Sequence, residues 1–156
     1  MSDDVIERLA ALGISLPEPM QPLGSYLPVV KAGGMLFVSM QGPMVAGQPK
    51  LAGLIGRDLT ADEGQLAAKL ATINALAQIR HYLNGFERVR QVVRVEGYIA
   101  CTEDFAQHPY VLDGASDLLA AVFSDRAGHA RSLCGVRNLP GQLPVAVAVT
   151  VELQTP

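Results

Sequence analysis

The sequence predicts an α+β fold in which a mixed six-stranded sheet carries two helices on one face. Apolar residues recur at steps of three and four over residues 60–85 and 111–125, which indicates two amphipathic helices. Two β-rich runs lie on either side of Gly33 and Gly34, which indicates a hairpin. The chain closes on "LPVAVAVTVEL", an alternating valine strand. Helices and strands of this kind together predict helices packed on one face of a sheet.

A short helix is predicted over residues 3–12, at the start of the chain. The stretch "SDDVIERLAALG" opens with Ser and Asp, which cap helices well, and it places Val5 and Leu9 at helical spacing before Gly13. Four prolines between Pro17 and Pro28 then exclude regular helix. The sequence therefore predicts an irregular connector between this helix and the hairpin.

The longest predicted helix begins at Thr60. Glycines and prolines from Gly42 to Gly53 predict a loop before it, with a short strand near Leu54 and Ile55. Thr60 and Glu63 form a capping box, and the helix ends at an Asn-Gly pair. Its predicted apolar face consists of Leu66, Leu70, Ile73, Leu76, Ile79 and Leu83.

The second half of the chain predicts three more strands around the second helix. The β-branched stretch "RVRQVVRVEGYIACT" predicts a central strand with Arg94 and Glu96 on one face. A loop is expected at His108 and Pro109, before the second helix. The segment that opens at Arg131 and the valine strand then supply the last two strands.

Composition favours a single domain spanning residues 1–156, with a helix and connector over 1–20 and a core over 21–156. The chain has 156 residues and is 49% hydrophobic, which is enough to bury a core. With 12 Lys and Arg against 15 Asp and Glu it shows no basic patch, so a nucleic-acid partner is not expected. The first apolar stretch is too short for a membrane span and has acidic flanks, so we expect a cytoplasmic protein without a membrane partner.

The two cysteines predict neither a metal site nor a redox pair. Cys101 and Cys134 lie far apart in sequence and have no partner at metal-ligand spacing. We therefore interpret them as two buried, reduced thiols.

One face of the predicted sheet lacks a cover. The valine strand has almost no polar residue on either side, and the chain has no third long helix to shield it. Burial against further copies of the chain is the simplest solution.

Three stretches, "SMQGP", "HARSLCGVRNLP" and the valine strand, resemble the RidA/YjgF family of reactive-intermediate imine deaminases. The resemblance covers about Tyr26 to Leu153 and includes the spacing from Arg131 to the Leu139-Pro140 turn. It implies a chorismate-mutase-like fold and a homotrimer with three clefts between subunits, and it implies no cofactor. The N-terminal helix resembles an extension found in a divergent branch of that family.

The resemblance also implies a ligand site. Arg131 matches an arginine that forms a salt bridge with the carboxylate of a 2-imino or 2-keto acid, and a guanidinium suits that role because it offers paired donors in one plane. The alternative is an interface arginine paired with Asp or Glu of a neighbouring chain. Tyr26 matches a tyrosine that closes the cleft, and the alternative is a plain core tyrosine.

Four further positions belong to the implied site, and three of them differ from the residue that the family has there. Ser39 lies in the hairpin motif, next to Met40, which replaces a glycine and is expected to narrow the cleft. Ser116 replaces an asparagine on the second helix, and Leu133 keeps only the role of its backbone amide.

The family's catalytic glutamate is missing, because Ala146 stands in its place and cannot hold or deprotonate a water. Glu96, Glu103 and His129 are the candidate substitutes. His129 shares a face with Arg131 on an extended segment, although a solvent-exposed loop histidine is the simpler interpretation.

The sequence therefore predicts a protein that binds a small carboxylate, with deaminase activity weak or absent. Three alternatives stay open: a non-catalytic regulatory module, a deaminase that uses substitute residues, and isomerase-like chemistry suggested by fold analogy alone. The acidic balance argues against a nuclease.

Overall fold

A computed structural model of the chain describes residues 3–155. Its three α-helices are α1 (Asp4–Ala11), α2 (Ala61–Leu83) and α3 (His108–Phe123). Its strands are β1 (Val29–Ala32), β2 (Met35–Gln41), β3 (Met44–Val45), β4 (Gln48–Pro49), β5 (Val89–Ala100), β6 (Ala130–Val136) and β7 (Val145–Leu153).

The main sheet has five strands in the order β1-β2-β7-β5-β6. Only β5 and β6 run parallel, so the sheet is mixed, as the sequence predicts. The valine strand β7 is the middle strand, β5 lies beside it, and β6 forms one edge.

The predicted sixth strand near Ile55 does not form. Ile55 makes only isolated bridges with Leu59 and Cys101, because Gly53 and Gly56 on either side of it adopt φ of +115° and +97° and bend the chain away. The loop that precedes it instead forms a separate two-stranded ribbon from β3 and β4.

Both long helices pack on one face of the sheet, where Val145, Val147, Val149 and Val151 of β7 are buried. The capping box of Thr60 and Glu63 starts α2 as predicted. Leu76, Ile79 and Leu83 of the predicted apolar face are buried, whereas Leu66 is 46% exposed and alanines take its place toward the core. Small residues allow a close approach of the helices, and a Cβ on Gly114 of α3 would overlap the carbonyl oxygen of Gln65 on α2.

The N-terminal helix packs on α3 through Val5 and Leu9, both buried. Its cap, Asp3, accepts hydrogen bonds from the backbone of Val5 and from that of Phe86, at 3.1 Å and 2.5 Å. α1 is thus tied to the segment that follows α2. The division into residues 1–20 and 21–156 stays a prediction, and residues 1, 2 and 156 of it lie outside the described part.

The helix α3 begins at His108, where the sequence predicts a loop. Pro109 stands in the first turn, where a proline costs no intrahelical hydrogen bond. The helix therefore extends three residues further toward the N-terminus than predicted.

The outer face of the sheet, which points away from α2 and α3, is formed in part by Ala146, Ala148 and Thr150 of β7. Phe37 of β2 stands opposite Thr150 and is 46% exposed. On β5, the same face carries an ion pair, in which Nε of Arg94 lies 3.5 Å from Oε1 of Glu96. This part of the outer face is therefore charged, not apolar.

The prediction of two buried thiols is wrong. Cys134 is exposed on the edge strand β6, and Cys101 is half-buried, with its sulfur 3.4 Å from Nε2 of His108. Both are free, and burial raises the pKa of the Cys101 thiol. Within residues 3–155 no three His, Cys, Asp or Glu side chains gather as metal ligands, and no helix has the length and apolar character to span a membrane.

Candidate functional site

The structure divides the predicted site residues into two groups. Tyr26, Ser39 and Met40 line a cavity between the connector and β2, which we term the connector pocket. Arg131, Leu133 and Ser116 lie at the contact of β6 with α3, together with Asp113 and His129, and we term this group the β6 edge.

The connector pocket is a mostly apolar cavity of about 520 Å³. A register shift between Val38 and Gln41 interrupts the pairing of β2 with β7 where the strand reaches the cavity. No charged side chain lines the cavity in the described part of the chain. The lining residues are Met20, Gln21, Pro22, Leu23, Tyr26, Pro28, Ser39, Met40, Gln41, Gly42, Met44, Leu139, Pro140, Leu143 and Ala146.

Ser39 forms two hydrogen bonds to the connector in this pocket. Its hydroxyl donates to the carbonyl oxygen of Leu27 at 2.8 Å, and its backbone N–H donates to that of Pro28 at 2.9 Å. Both bonds hold the connector against β2. Tyr26 is 48% exposed and its hydroxyl accepts from the backbone N–H of Leu23 at 3.3 Å, so the core-tyrosine interpretation is wrong.

At the β6 edge, the Arg131 guanidinium is held by groups of its own chain. Its Nη1 donates to Oδ1 of Asp113 at 2.7 Å and to Oγ of Ser116 at 3.2 Å, while Nη2 lies 3.5 Å from the carbonyl oxygen of Pro109. The carboxylate partner thus comes from α3 of the same chain, whereas the sequence suggested a ligand or a neighbouring chain.

Asp113 is the residue that the sequence analysis missed. It stands three residues before Ser116 on α3, and residues at that spacing share one face of a helix. This spacing was the only signal in the sequence that linked Asp113 to the site.

His129 uses both ring nitrogens. Nδ1 lies 2.6 Å from the carbonyl oxygen of Ala127, and Nε2 lies 2.9 Å from Oγ of Ser116. His129 is half-buried, so the interpretation as a solvent-exposed loop histidine is wrong.

The other predicted positions lie elsewhere. Leu133 is half-buried and packs against the core, so its side chain is structural. Ala146 lines the connector pocket and is 7% exposed. Glu96 pairs with Arg94 on the outer face, and Glu103 is exposed in the loop after β5. Neither glutamate shares the sheet face of Arg131.

The two groups are far apart within one chain. β7 and β5 stand between β2 and β6, and three inter-strand spacings amount to about 14 Å. The faces differ as well. Ala130 and Thr150 both pair with Arg94, so Arg131, the next residue, points to the helix face, while Ala146 shares the outer face with Thr150.

This arrangement of sheet, helices and edge arginine defines a chorismate-mutase-like α+β protein. A family profile described as "YjgF/chorismate mutase-like, putative endoribonuclease" matches residues 6–153, and the chain belongs to that family. The match begins inside α1, well before the Tyr26 boundary of the resemblance in the sequence.

Relatives of similar length support the assignment. Protein TCP17 of Trypanosoma cruzi is 36% identical over 97% of this chain and 96% of its own. A Shewanella oneidensis crystal structure described as a "putative endoribonuclease" is 35% identical over 97% of this chain and 100% of its own, with a TM-score of 0.94. Escherichia coli TdcF, solved with bound serine, shares the fold at 17% identity and a TM-score of 0.64, over 90% of this chain and 96% of its own.

Proposed function

We propose that the protein binds a small carboxylate ligand of the 2-imino or 2-keto acid type in clefts between the subunits of a homotrimer, and that its imine deaminase activity is weak or absent. The observation that carries the proposal is the position of Arg131. Asp113 and Ser116 engage its Nη1, so the guanidinium is fixed at a half-exposed edge. Within residues 3–155, Nε–H and the second hydrogen of Nη2 make no hydrogen bond, so a pair of donors is left for a ligand carboxylate.

The separation of the two groups supports a site between copies. A ligand of a few carbon atoms cannot span about 14 Å and reach both sheet faces of one chain. If the β6 edge of one copy meets the connector pocket of the next, the ligand carboxylate contacts Arg131 while its side chain enters the apolar cavity. The partly covered outer face, with Phe37 and Ala148, offers the surface for that assembly.

The alanine at position 146 supports the proposal that imine deaminase activity is weak or absent. An alanine at the pocket wall offers no group to orient or deprotonate an attacking water, although the cavity itself is present. Binding is therefore expected to persist without efficient turnover, which also suits a non-catalytic regulatory module.

Two features of relatives bear on this proposal. Serine, the ligand in the TdcF structure, carries a carboxylate of the kind that Arg131 would bind. The endoribonuclease description of the family is less suitable for this chain, because its net charge of −3 opposes a phosphate backbone.

Calorimetry with 2-oxobutanoate tests the binding role. Arg131→Ala is expected to weaken binding roughly tenfold to a hundredfold, the worth of a charge-assisted pair. Arg137→Ala, which removes an exposed arginine just after β6, is the matched control and is expected to bind as wild type. Equal affinity in the wild type and Arg131→Ala would return Arg131 to a structural role.

A further inference from the structure

Ser116 and His129 form a hydrogen-bonded pair at the β6 edge whose geometry is that of a nucleophile and its general base. We infer that Ser116 is a reactive nucleophile activated by His129, and that the protein hydrolyses small carboxylic esters at this position. The inference relies on the proposed function only for the role of Arg131 in holding a substrate carboxylate.

The direction of the hydrogen bonds follows from the groups involved. The carbonyl oxygen of Ala127 can only accept, so Nδ1 of His129 carries the proton in the 2.6 Å contact. Nε2 of a neutral imidazole then has a lone pair and accepts from the Ser116 hydroxyl at 2.9 Å.

Arg131 reinforces this assignment. Its Nη1 can only donate, so Ser116 Oγ accepts at 3.2 Å and keeps its own hydrogen for His129. The same guanidinium stabilises negative charge that develops on Oγ as the proton leaves.

The local fold orients the three groups. Ser116 is fixed by α3, and Arg131 lies on β6, which is paired along its length with β5. His129 stands between the buried Ala127 and the first residue of β6, and its Nδ1 contact fixes the ring. A nucleophile, a base and a third group that orients the base are the three parts that activated serine hydrolysis requires.

The reaction balances with water as the only co-reactant. Ser116 Oγ attacks the acyl carbon while its proton moves to Nε2 of His129. The C–O bond of the ester breaks, and the alkoxide takes that proton and leaves as the alcohol. Water then attacks the acyl-serine with loss of its proton to His129, which returns it to Ser116 Oγ as the carboxylic acid leaves.

A fluorophosphonate probe tests the inference directly, because it reports serine nucleophilicity and needs no carboxylate site. We expect one phosphonyl group per chain, mapped by peptide mass spectrometry to Ser116, and none in Ser116→Ala. His129→Gln is expected to lower the labelling rate by about a hundredfold. Ser15→Ala and His81→Gln, which change an exposed serine and an exposed histidine, are the matched controls and should label as wild type.

A second variant keeps the test independent of folding defects. Ser116→Cys offers a thiol at the same place, and its alkylation by iodoacetamide should slow at least tenfold when His129→Gln is added. Hydrolysis of p-nitrophenyl acetate should follow the same order of variants as the phosphonate labelling. The inference would be overturned if the phosphonate did not label the protein or labelled many serines. It would also be overturned if His129→Gln changed neither the labelling rate nor the alkylation rate. Carboxylate binding measured by calorimetry would be unaffected by that outcome, so the two proposals fail separately.

Discussion

The connector pocket and the β6 edge differ in almost every property. The pocket is a cavity of about 520 Å³ with an apolar lining that includes Met20, Met40 and Met44. The edge has a dense polar network, in which Arg131 contacts both Asp113 and Ser116. One region offers volume without charge, and the other offers charge at a strand edge.

This difference shows how each region is incomplete alone. A carboxylate gains little from an apolar cavity, because burying an unpaired charge is costly. An arginine that is half-exposed at an edge binds a single carboxylate weakly, since water and salt compete for it. Under the proposed function, a second copy of the chain brings the two regions together.

Separating the copies is expected to have the largest effect. Ala148→Asp places a carboxylate on the outer face, directly across from Glu96 on β5, and a buried unpaired charge opposes assembly. Light scattering after gel filtration should show a trimer for the wild type and a monomer for Ala148→Asp, with 2-oxobutanoate binding lost. Ala106→Asp, in the exposed loop before α3, should remain a trimer. A monomeric wild type at micromolar concentration would contradict the shared site.

Restoring the missing carboxylate should turn the pocket into a catalytic region. The wild type is expected to hydrolyse 2-iminobutanoate, generated by a coupled dehydratase, barely faster than buffer. Ala146→Glu combined with Met40→Gly should raise the rate by roughly 10²–10⁴-fold, since a general base then meets the substrate and the cavity has room for it.

The isosteric amide is the control for that experiment. Ala146→Gln with Met40→Gly has the same shape without a base and should stay near the wild-type rate. Robust deaminase activity in the wild type would show that Ala146 does not silence the site.

The alkylation rate of Cys134 should show whether the outer face is shielded by assembly, with Cys101 as the internal comparison. Cys134 stands opposite Tyr98 on the outer face, so the proposed trimer shields it, and iodoacetamide should modify it several-fold faster in Ala148→Asp than in the wild type. Cys101 should react slowly in both at neutral pH, because burial raises the pKa of its thiol and the thiolate is the reactive form. Peptide mass spectrometry measures both rates, and equal rates for Cys134 would argue against a shielded face.

The smallest effect is expected at Asp113. The amide oxygen of Asn can still accept from Nη1 of Arg131, whereas loss of the negative charge removes repulsion of a ligand carboxylate. Asp113→Asn should therefore tighten 2-oxobutanoate binding about threefold. Asp117→Asn, an exposed position on the same helix, should leave the affinity unchanged. Weaker binding in Asp113→Asn would mean that Asp113 orients Arg131 more than it competes with the ligand.

Local signals in the sequence predicted local structure well. The Thr60–Glu63 capping box and the glycines of the hairpin act over a few residues, and both elements form where predicted. The prediction of a strand near Ile55 was wrong, because the backbone conformations of Gly53 and Gly56 depend on the packing around them and not on the local sequence alone. The predicted apolar face of α2 is confirmed at Leu76, Ile79 and Leu83 and wrong at Leu66, because in the first half of the helix close packing favours alanine over leucine.

The candidate site was predictable in part. The two-residue step from His129 to Arg131 predicted one shared face, and both side chains contact Ser116. The Asp113 partner of Arg131 was not predicted, because a contact between a helix and a distant strand leaves no spacing signal of its own. Ser39 was predicted to belong to the ligand site, and it lines the connector pocket while its hydroxyl holds the connector; its role toward a ligand stays a prediction.

Hybrid trimers test the shared site most directly. Arg131→Ala weakens the β6 edge, and Met40→Trp fills the connector pocket. Arg131→Ala alone should therefore bind 2-oxobutanoate roughly tenfold to a hundredfold more weakly than the wild type, and Met40→Trp alone should not bind it. The two variants are then denatured together and refolded as mixed trimers. About a quarter of the clefts should combine the intact β6 edge of a Met40→Trp chain with the intact connector pocket of an Arg131→Ala chain. Calorimetry should then recover about a quarter of the wild-type binding capacity at wild-type affinity. Mixed trimers, verified by native mass spectrometry, that recover no binding would contradict a site shared between subunits.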